Sequence, residues 1–160
     1  MSIALIPGSF DPVTNGHLDI VDRTARKFDV VLVAVATNPR KSTALFTVEE
    51  RVAMLEEVTR GYGDSVRVQS FKVLLADFAL EHAVTAIVKG LRAVSDFDYE
   101  LQMAQLNLRL SGVDTLFMPT APEHSFLSAT LVREVASYGG DVSSMVPAVV
   151  AQRLKERFSQ

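Results

Sequence analysis

Asp29-Val-Val-Leu-Val-Ala-Val-Ala36 is the stretch that decides the fold. Residues 30–36 are apolar without a break and largely β-branched, with no polar residue alternating among them. A strand exposed on one face would alternate; one that does not is buried on both faces, as a central parallel strand is. Outward from it the same rhythm recurs. Before it, Ser2-Ile-Ala-Leu-Ile-Pro7 reads as a buried strand and Gly16 to Phe28 as a helix, with Leu18, Val21, Ala25 and Phe28 on one face. After it, Thr47 to Tyr62 reads as a helix opened by a capping box, Thr47 at the N-cap and Glu50 three residues on. Its core face is Val48, Val52, Leu55 and Val58, and Gly61-Tyr-Gly-Asp64 ends it.

The second half continues the pattern. Strands are expected over 65–69, 85–89 and 114–118, and helices over 74–82, 96–110, 128–138 and 147–158. Alternating strand and helix implies an α/β architecture. The expectation is a Rossmann-like open parallel sheet of about five strands with helices on both faces. With 160 residues and no low-complexity or Pro/Ser-rich linker, one domain over 1–160 is expected. Such a chain buries roughly two-thirds of its unfolded surface.

Composition excludes several chemistries. There is no cysteine, hence no disulfide, thiol nucleophile or cysteine-ligated metal. His17, His82 and His124 are the only histidines, too few for a His-rich metal centre. The formal net charge of −3 is wrong for a non-specific nucleic-acid binder. No signal-peptide-like or membrane-spanning segment is read: the first Lys or Arg is Arg23, and the 30–36 run is far below the ~20 residues a bilayer requires. A cytoplasmic location is expected.

In open parallel sheets, ligands bind beyond the carboxyl ends of the strands. That directs attention to the loops at 7–16, 37–46, 70–75, 89–95 and 119–128. The first, Pro7-Gly-Ser-Phe-Asp-Pro-Val-Thr-Asn-Gly-His17, opens a helix, and helix N-termini favour phosphate. His17 in that first turn reads either as a surface histidine or as a ligand; its place at the ligand edge favours the second. Arg40 and Lys41 lie in the second loop, with a solvated basic loop the better reading of Arg40. Lys89-Gly-Leu-Arg92 puts two cations at a strand end. Ser125 to Arg133 starts a helix with hydroxyls that can cap it. Cations, hydroxyls and free N–H groups at one sheet edge suit a polyanionic small ligand, such as a nucleotide phosphate chain, with Lys41, Lys89, Arg92 and Arg133 gathered around it.

Gly8-Ser-Phe-Asp-Pro12 followed by Thr14-Asn-Gly-His17 resembles the T/HxGH signature of the nucleotidyltransferase superfamily. Leu127-Ser-Ala-Thr-Leu-Val-Arg133 resembles its ISSTxxR signature. The segment from Lys89 to Glu100 (KGLRAVSDFDYE) is similar to the RGLR…DFxYE segment of one family within it, the bacterial phosphopantetheine adenylyltransferases. Thr47-Val-Glu-Glu-Arg51 and Gly140-Asp-Val142 fit as well, so the resemblance runs end to end.

The resemblance implies adenylyl transfer from ATP to 4′-phosphopantetheine, giving dephospho-CoA and pyrophosphate, with Mg²⁺ as cofactor and metal ligands unassigned. It implies a homohexamer and makes coenzyme A a feedback ligand. His17 would be catalytic, stabilising the transition state. Ser9, Lys41, Leu75 and Lys89 would bind phosphopantetheine. Ser9, Phe10, His17, Gly90, Leu91, Arg92, Glu100, His124, Ser125, Phe126, Leu127, Ser128, Ala129 and Thr130 would line the ATP site. The chain departs from the family pattern in four places: Lys89 stands for Arg, which keeps charge but loses the bidentate fork; Ala129 replaces a small hydroxyl residue; Leu127 replaces Ile; His124 replaces an aromatic residue.

A phosphate monoester has its second pKa near ~6, so it is already largely dianionic at neutral pH and requires no general base. Charge neutralisation and in-line positioning are then the expected catalytic devices. Two other readings compete: another small nucleotidyltransferase, such as a nicotinate-mononucleotide adenylyltransferase or a cytidylyltransferase, and a catalytically silent nucleotide-binding module. The 89–100 segment and Lys41 argue against the first, and His17 with Lys41 and Arg92 against the second. The helix at 96–110 carries two apolar stripes, Phe97, Leu101, Ala104 and Leu108, then Met103, Leu106 and Leu110. It is either packed deep inside or part of an oligomer interface.

Overall fold

The two faces of the apolar stretch at residues 30–36 belong to two different cores. The computed structural model describes residues 1–37 and 43–159, without the side chains of residues 94–96. Strand β1 (Ile3–Gly8) leads through helix α1 (Asn15–Ala25) to β2 (Val30–Ala36). On one face of β2, Val31, Val33 and Val35 are buried with Ala4 and Ile6 of β1; on the other, Leu32 and Ala34 are buried with Leu5. Two covered faces leave no position where a polar residue would gain from water, hence the unbroken apolar run.

The chain continues as α2 (Val48–Val58), a 3₁₀ stretch (Arg60–Ser65), β3 (Val66–Phe71), α3 (Leu75–Glu81), β4 (Ala86–Leu91), α4 (Val94–Ser111) and β5 (Asp114–Pro119). A short 3₁₀ turn (Pro122–His124), α5 (Ala129–Ser137) and α6 (Ala148–Phe158) follow. All four strand pairings are parallel, in the order β3-β2-β1-β4-β5. The strand at the centre is therefore β1, and β2 lies one place out. Residues of α1, α2, α5 and α6, including Ile20, Val21, Leu55, Val132 and Leu154, fill the larger core on one face. Phe78 and Ala79 of α3 pack on the other, and α4 packs against α3 and β5.

Two sequence expectations change. The helix expected to reach Tyr62 stops at Val58 and tightens into the 3₁₀ stretch, where Gly63 has φ +59°. Glycines at 61 and 63 hold a helix poorly, and the left-handed φ at Gly63 breaks it. The reading of the 96–110 helix as deeply packed is overturned: Tyr99 is 63% exposed, and Leu106, Leu108 and Leu110 each close to half. Phe97 meets Phe117 of β5 edge to face and Asn107 is buried, but much of the remaining apolar surface of α4 faces outward, beside exposed Leu116 of β5.

This order places the site. The chain winds from β1 to β3 on one side, then crosses back so that β4 lies beside β1. The crevice between the carboxyl ends of β1 and β4 is the topological switch point, where helices leave to opposite sides and ligands bind.

Candidate active site

A cavity of about 210 Å³ opens at that switch point. The end of β1 and start of α1 supply Gly8, Phe10, Thr14 and His17 to its wall. The end of β4 supplies Lys89, Gly90 and Arg92, and α4 supplies Glu100. Thr120 closes one side and Leu127, Ser128 and Ala129 another.

Helix capping holds His17 on one side, through Nδ1. Thr14, the N-cap of α1, accepts the His17 N–H through its hydroxyl at 3.3 Å, and the Thr14 N–H donates to His17 Nδ1 at 2.9 Å. This is a capping box with histidine as the returning acceptor. Nδ1 as acceptor leaves the proton of the neutral ring on Nε2, a tautomer assigned from the hydrogen-bond network. Burial, and secondarily the Arg92 charge, push the His17 pKa down from 6.5 to about 4. The ring is therefore a neutral Nε2–H donor at physiological pH.

The ring of Phe10 meets that of His17 edge to face, centroids 4.9 Å apart at 67°. Phe10 is buried and has φ +50°, a left-handed backbone that bulky residues rarely adopt and that costs about 1–3 kcal/mol. The adjoining Asp11–Pro12 peptide is cis. A Cβ on Gly8 would come within 3.1 Å of the Phe10 ring, a tight contact that the ring would have to yield to. Across the cavity, a Cβ on Gly90 would lie 3.0 Å from Ile20 of α1, which sets how closely β4 approaches that helix.

The cations at the end of β4 are held in place. Lys89 Nζ lies 3.0 Å from Glu100 Oε2, both side chains partly buried. Arg92 donates from Nη1 to the Leu127 carbonyl at 2.8 Å, joining the β4 end to the start of α5. Thr120 donates to the Leu91 carbonyl through both its N–H (3.0 Å) and its hydroxyl (3.1 Å), fastening the β4 and β5 ends together. Ser128 is the N-cap of α5, accepting the Leu131 N–H at 3.0 Å.

Of the residues singled out from the sequence, Phe10, His17, Lys89, Gly90, Arg92, Glu100 and 127–129 are brought to one cavity. Ser9, Leu91 and Thr130 are next to wall residues in the chain without lining the cavity. His124, Ser125 and Phe126 precede its 127–129 wall, with His124 Cβ 3.7 Å from where a Gly16 Cβ would stand. Leu75 begins α3 and packs on the smaller core, and it is not among the residues lining the cavity. Arg40 and Lys41 lie outside the described residues.

Arg133 does not join the cavity cations. Its guanidinium turns back to the first loop, donating to the Asp11 carbonyl at 2.5 Å and lying 3.7 Å from the Asp11 carboxylate. Nothing in the linear sequence marks Asp11, Thr14 or Thr120 as site residues. Arg51 carried a signal: it follows Val48 by three and precedes Leu55 by four, so it lies within the apolar stripe of α2. A charge there is a buried charge, and Arg51 is 6% exposed.

Comparison with known proteins bears on this geometry. A sequence model of the cytidylyltransferase-like family matches residues 5–135. The phosphopantetheine adenylyltransferase of Streptomyces coelicolor is 58% identical over 158 residues, 99% of this chain and 98% of the relative. The chain belongs to the phosphopantetheine adenylyltransferase family. A second member, from Frankia casuarinae, is 55% identical and covers 100% of both chains. The family fold also appears at great sequence distance: the Plasmodium falciparum nicotinic acid mononucleotide adenylyltransferase, solved with NaAD, superposes with a TM-score of 0.69 at 14% identity, over 97% of this chain and 95% of that one.

Proposed function

We propose that the chain transfers the adenylyl group of ATP to 4′-phosphopantetheine, giving dephospho-CoA and pyrophosphate in coenzyme A biosynthesis. The observation that carries this reading is identity of 52–58% over nearly the whole chain to relatives of that name. The cavity supplies suitable chemistry. An oxygen of the acceptor phosphate, dianionic above pH ~6, attacks the α-phosphorus of ATP. The new P–O bond forms as the bond to pyrophosphate breaks, in line, with no covalent enzyme intermediate and no side-chain base. The obstacle is repulsion between two polyanions, and the remedy is positive charge and N–H donors in fixed positions.

In this reading His17 donates Nε2–H to a phosphoryl oxygen as charge builds there. Lys89 binds the acceptor phosphate, with Lys41, Leu75 and Ser9 as further acceptor contacts. Phe10, Gly90, Leu91, Arg92, Glu100 and residues 124–130 take the nucleotide. Among the described residues no cluster of three or more His, Asp or Glu forms a metal cage. Magnesium keeps much of its hydration and binds through substrate phosphates, so it fits here as the ion of Mg–ATP, neutralising phosphate charge, with no protein ligand assigned.

The outward apolar surface of α4 and Leu116 of β5 suits burial against other copies of the chain, as in the hexamer expected from the family. Coenzyme A, which keeps the pantetheine arm of the product, would compete at the same cavity. A cytoplasmic location accompanies this reading; no described helix is long and apolar enough to cross a membrane.

The test is pyrophosphate release with Mg–ATP and a panel of acceptors. Release with 4′-phosphopantetheine and background with nicotinate mononucleotide is expected; the reverse pattern would replace the proposed acceptor.

A further inference from the structure

Behind the cavity wall, charged side chains from three elements converge on two short pieces of backbone. Arg51 of α2 is buried and donates to three carbonyls: Ser9 at 2.8 Å, Phe46 at 3.2 Å and Ala36 at 3.3 Å. Asp11 is equally buried, and its two carboxylate oxygens accept the N–H groups of Leu45 and Phe46, each at 2.9 Å. Arg133 of α5 donates to the Asp11 carbonyl. Arg157 of α6 donates to the Leu45 carbonyl at 2.7 Å, pairs with Glu50, and stacks over the Phe46 ring. All four backbone polar groups of Leu45 and Phe46 are thus taken by charged side chains.

Phe10 sits at the focus. The carbonyl before it is held by Arg51 and the carbonyl after it by Arg133, while the next side chain, Asp11, is anchored to 45–46. A bulky residue persists in left-handed backbone only where its surroundings over-determine it. Here two guanidinium groups and one carboxylate do so, and the ring so placed packs on His17.

We propose that Arg51 is a positioning residue of the active site: with Asp11 and Arg133 it holds Phe10 in its left-handed conformation, and Phe10 in turn orients the ring of His17. Arg51 does not line the cavity; its effect passes through backbone. Without it the Ser9 carbonyl loses a charged donor and Phe10 can relax to negative φ, carrying its ring off His17. Lysine at 51 can bond one of the three carbonyls but lacks the fork that spans them. The catalytic part of this inference rests on the proposed adenylyl transfer; the structural part does not.

The test combines two readouts on Arg51→Met and Arg51→Lys. Nitrogen-15 NMR of the His17 ring at neutral pH reports tautomer and orientation without substrate. Steady-state pyrophosphate release separates kcat from KM. In Arg51→Met the His17 ring signals should shift or broaden, and kcat should fall by about a hundredfold with the acceptor KM nearly unchanged, since misplacing a catalytic group acts on the transition state. Arg51→Lys should recover part of both. Unchanged His17 signals in folded Arg51→Met, or loss of activity only as KM, would overturn the proposal. If Arg51→Met does not fold, Phe10→Leu, which leaves the charged brace intact, must shift or broaden the His17 ring signals and lower kcat, whatever it does to the ATP KM; wild-type His17 signals in that variant would equally overturn it. Wild-type protein inactive with 4′-phosphopantetheine would sink the functional reading while leaving the NMR result to decide the positioning.

Discussion

The N–H of Thr14 donates to Nδ1 of His17 across 2.9 Å. One hydrogen bond therefore serves two purposes. It satisfies a backbone donor at the start of α1, and it commits the imidazole proton to Nε2, the nitrogen left for a ligand. A residue that caps its own helix cannot rotate freely, so the donor is oriented before any substrate arrives.

Removing that donor should cost turnover more than binding. His17→Ala is expected to lower kcat by about two to three orders of magnitude, the usual loss for one preorganised donor, with a smaller change in ATP affinity. Single-turnover kinetics alongside ATP titration checks this. Near-normal turnover would remove His17 from the chemistry.

Stability should depend on pH through the same ring. The folded-state pKa of His17 is about 4, against 6.5 for the ordinary side chain. Between those values the unfolded chain binds a proton that the folded protein refuses. The contribution is fully present above pH 6.5 and is lost as pH falls toward 4, at up to about 1.4 kcal/mol per pH unit. Urea unfolding at several pH values between 4 and 7 should show a steeper loss in the wild type than in His17→Asn. Parallel curves would mean that His17 titrates normally.

Gly8→Ala should disturb the site from its other side. The added methyl would stand 3.1 Å from the Phe10 ring, which in turn meets the His17 ring edge to face. Overpacking of this kind costs about 1–3 kcal/mol. The melting temperature should drop, and kcat should fall even at temperatures where the variant is folded. An active variant of wild-type stability would show that the ring has room to move.

Lys89 should govern the acceptor rather than the nucleotide. A charge-assisted hydrogen bond is worth about 1.5–3 kcal/mol, so Lys89→Ala should raise the acceptor Kd by about tenfold or more and leave the ATP Kd within a few-fold. Calorimetry with each ligand separately decides it. A larger loss for ATP would move Lys89 to the nucleotide side.

The outward face of α4 should carry assembly. Leu106 and Leu110 are four residues apart, one turn of helix, and about half exposed. Charges there, as in Leu106→Glu with Leu110→Glu, should shift sedimentation toward the 17.5 kDa monomer while leaving the fold intact. An unchanged sedimentation coefficient for a larger species would place the interface elsewhere.

Much of the fold is legible in the chain because its signals are local. The 30–36 run, the Thr47–Glu50 capping box and the alternation of strand with helix each depend on neighbours within a few residues, and all three appear as read. The signals that misled depend on distant partners. A cation at a helix start looks the same whether it faces a cavity or a carbonyl, so the linear sequence groups Arg133 with Lys89 and Arg92, although it serves Asp11. Apolar stripes on α4 show that surface must be covered without showing what covers it.

By itself, then, the sequence determined the parallel α/β architecture, the sheet edge where ligands belong, and the signature segments that assign the family. Each of these is written in periodicity or in short contiguous motifs, which a linear reading preserves. Only the tertiary structure decided that β4 returns to lie beside β1, that Lys89 meets Glu100, and that Arg51, Asp11 and Arg133 brace a left-handed Phe10 against His17. These contacts join residues many positions apart, and the energy of holding a buried charge or an unfavourable backbone angle is met only when the folded chain brings their partners together.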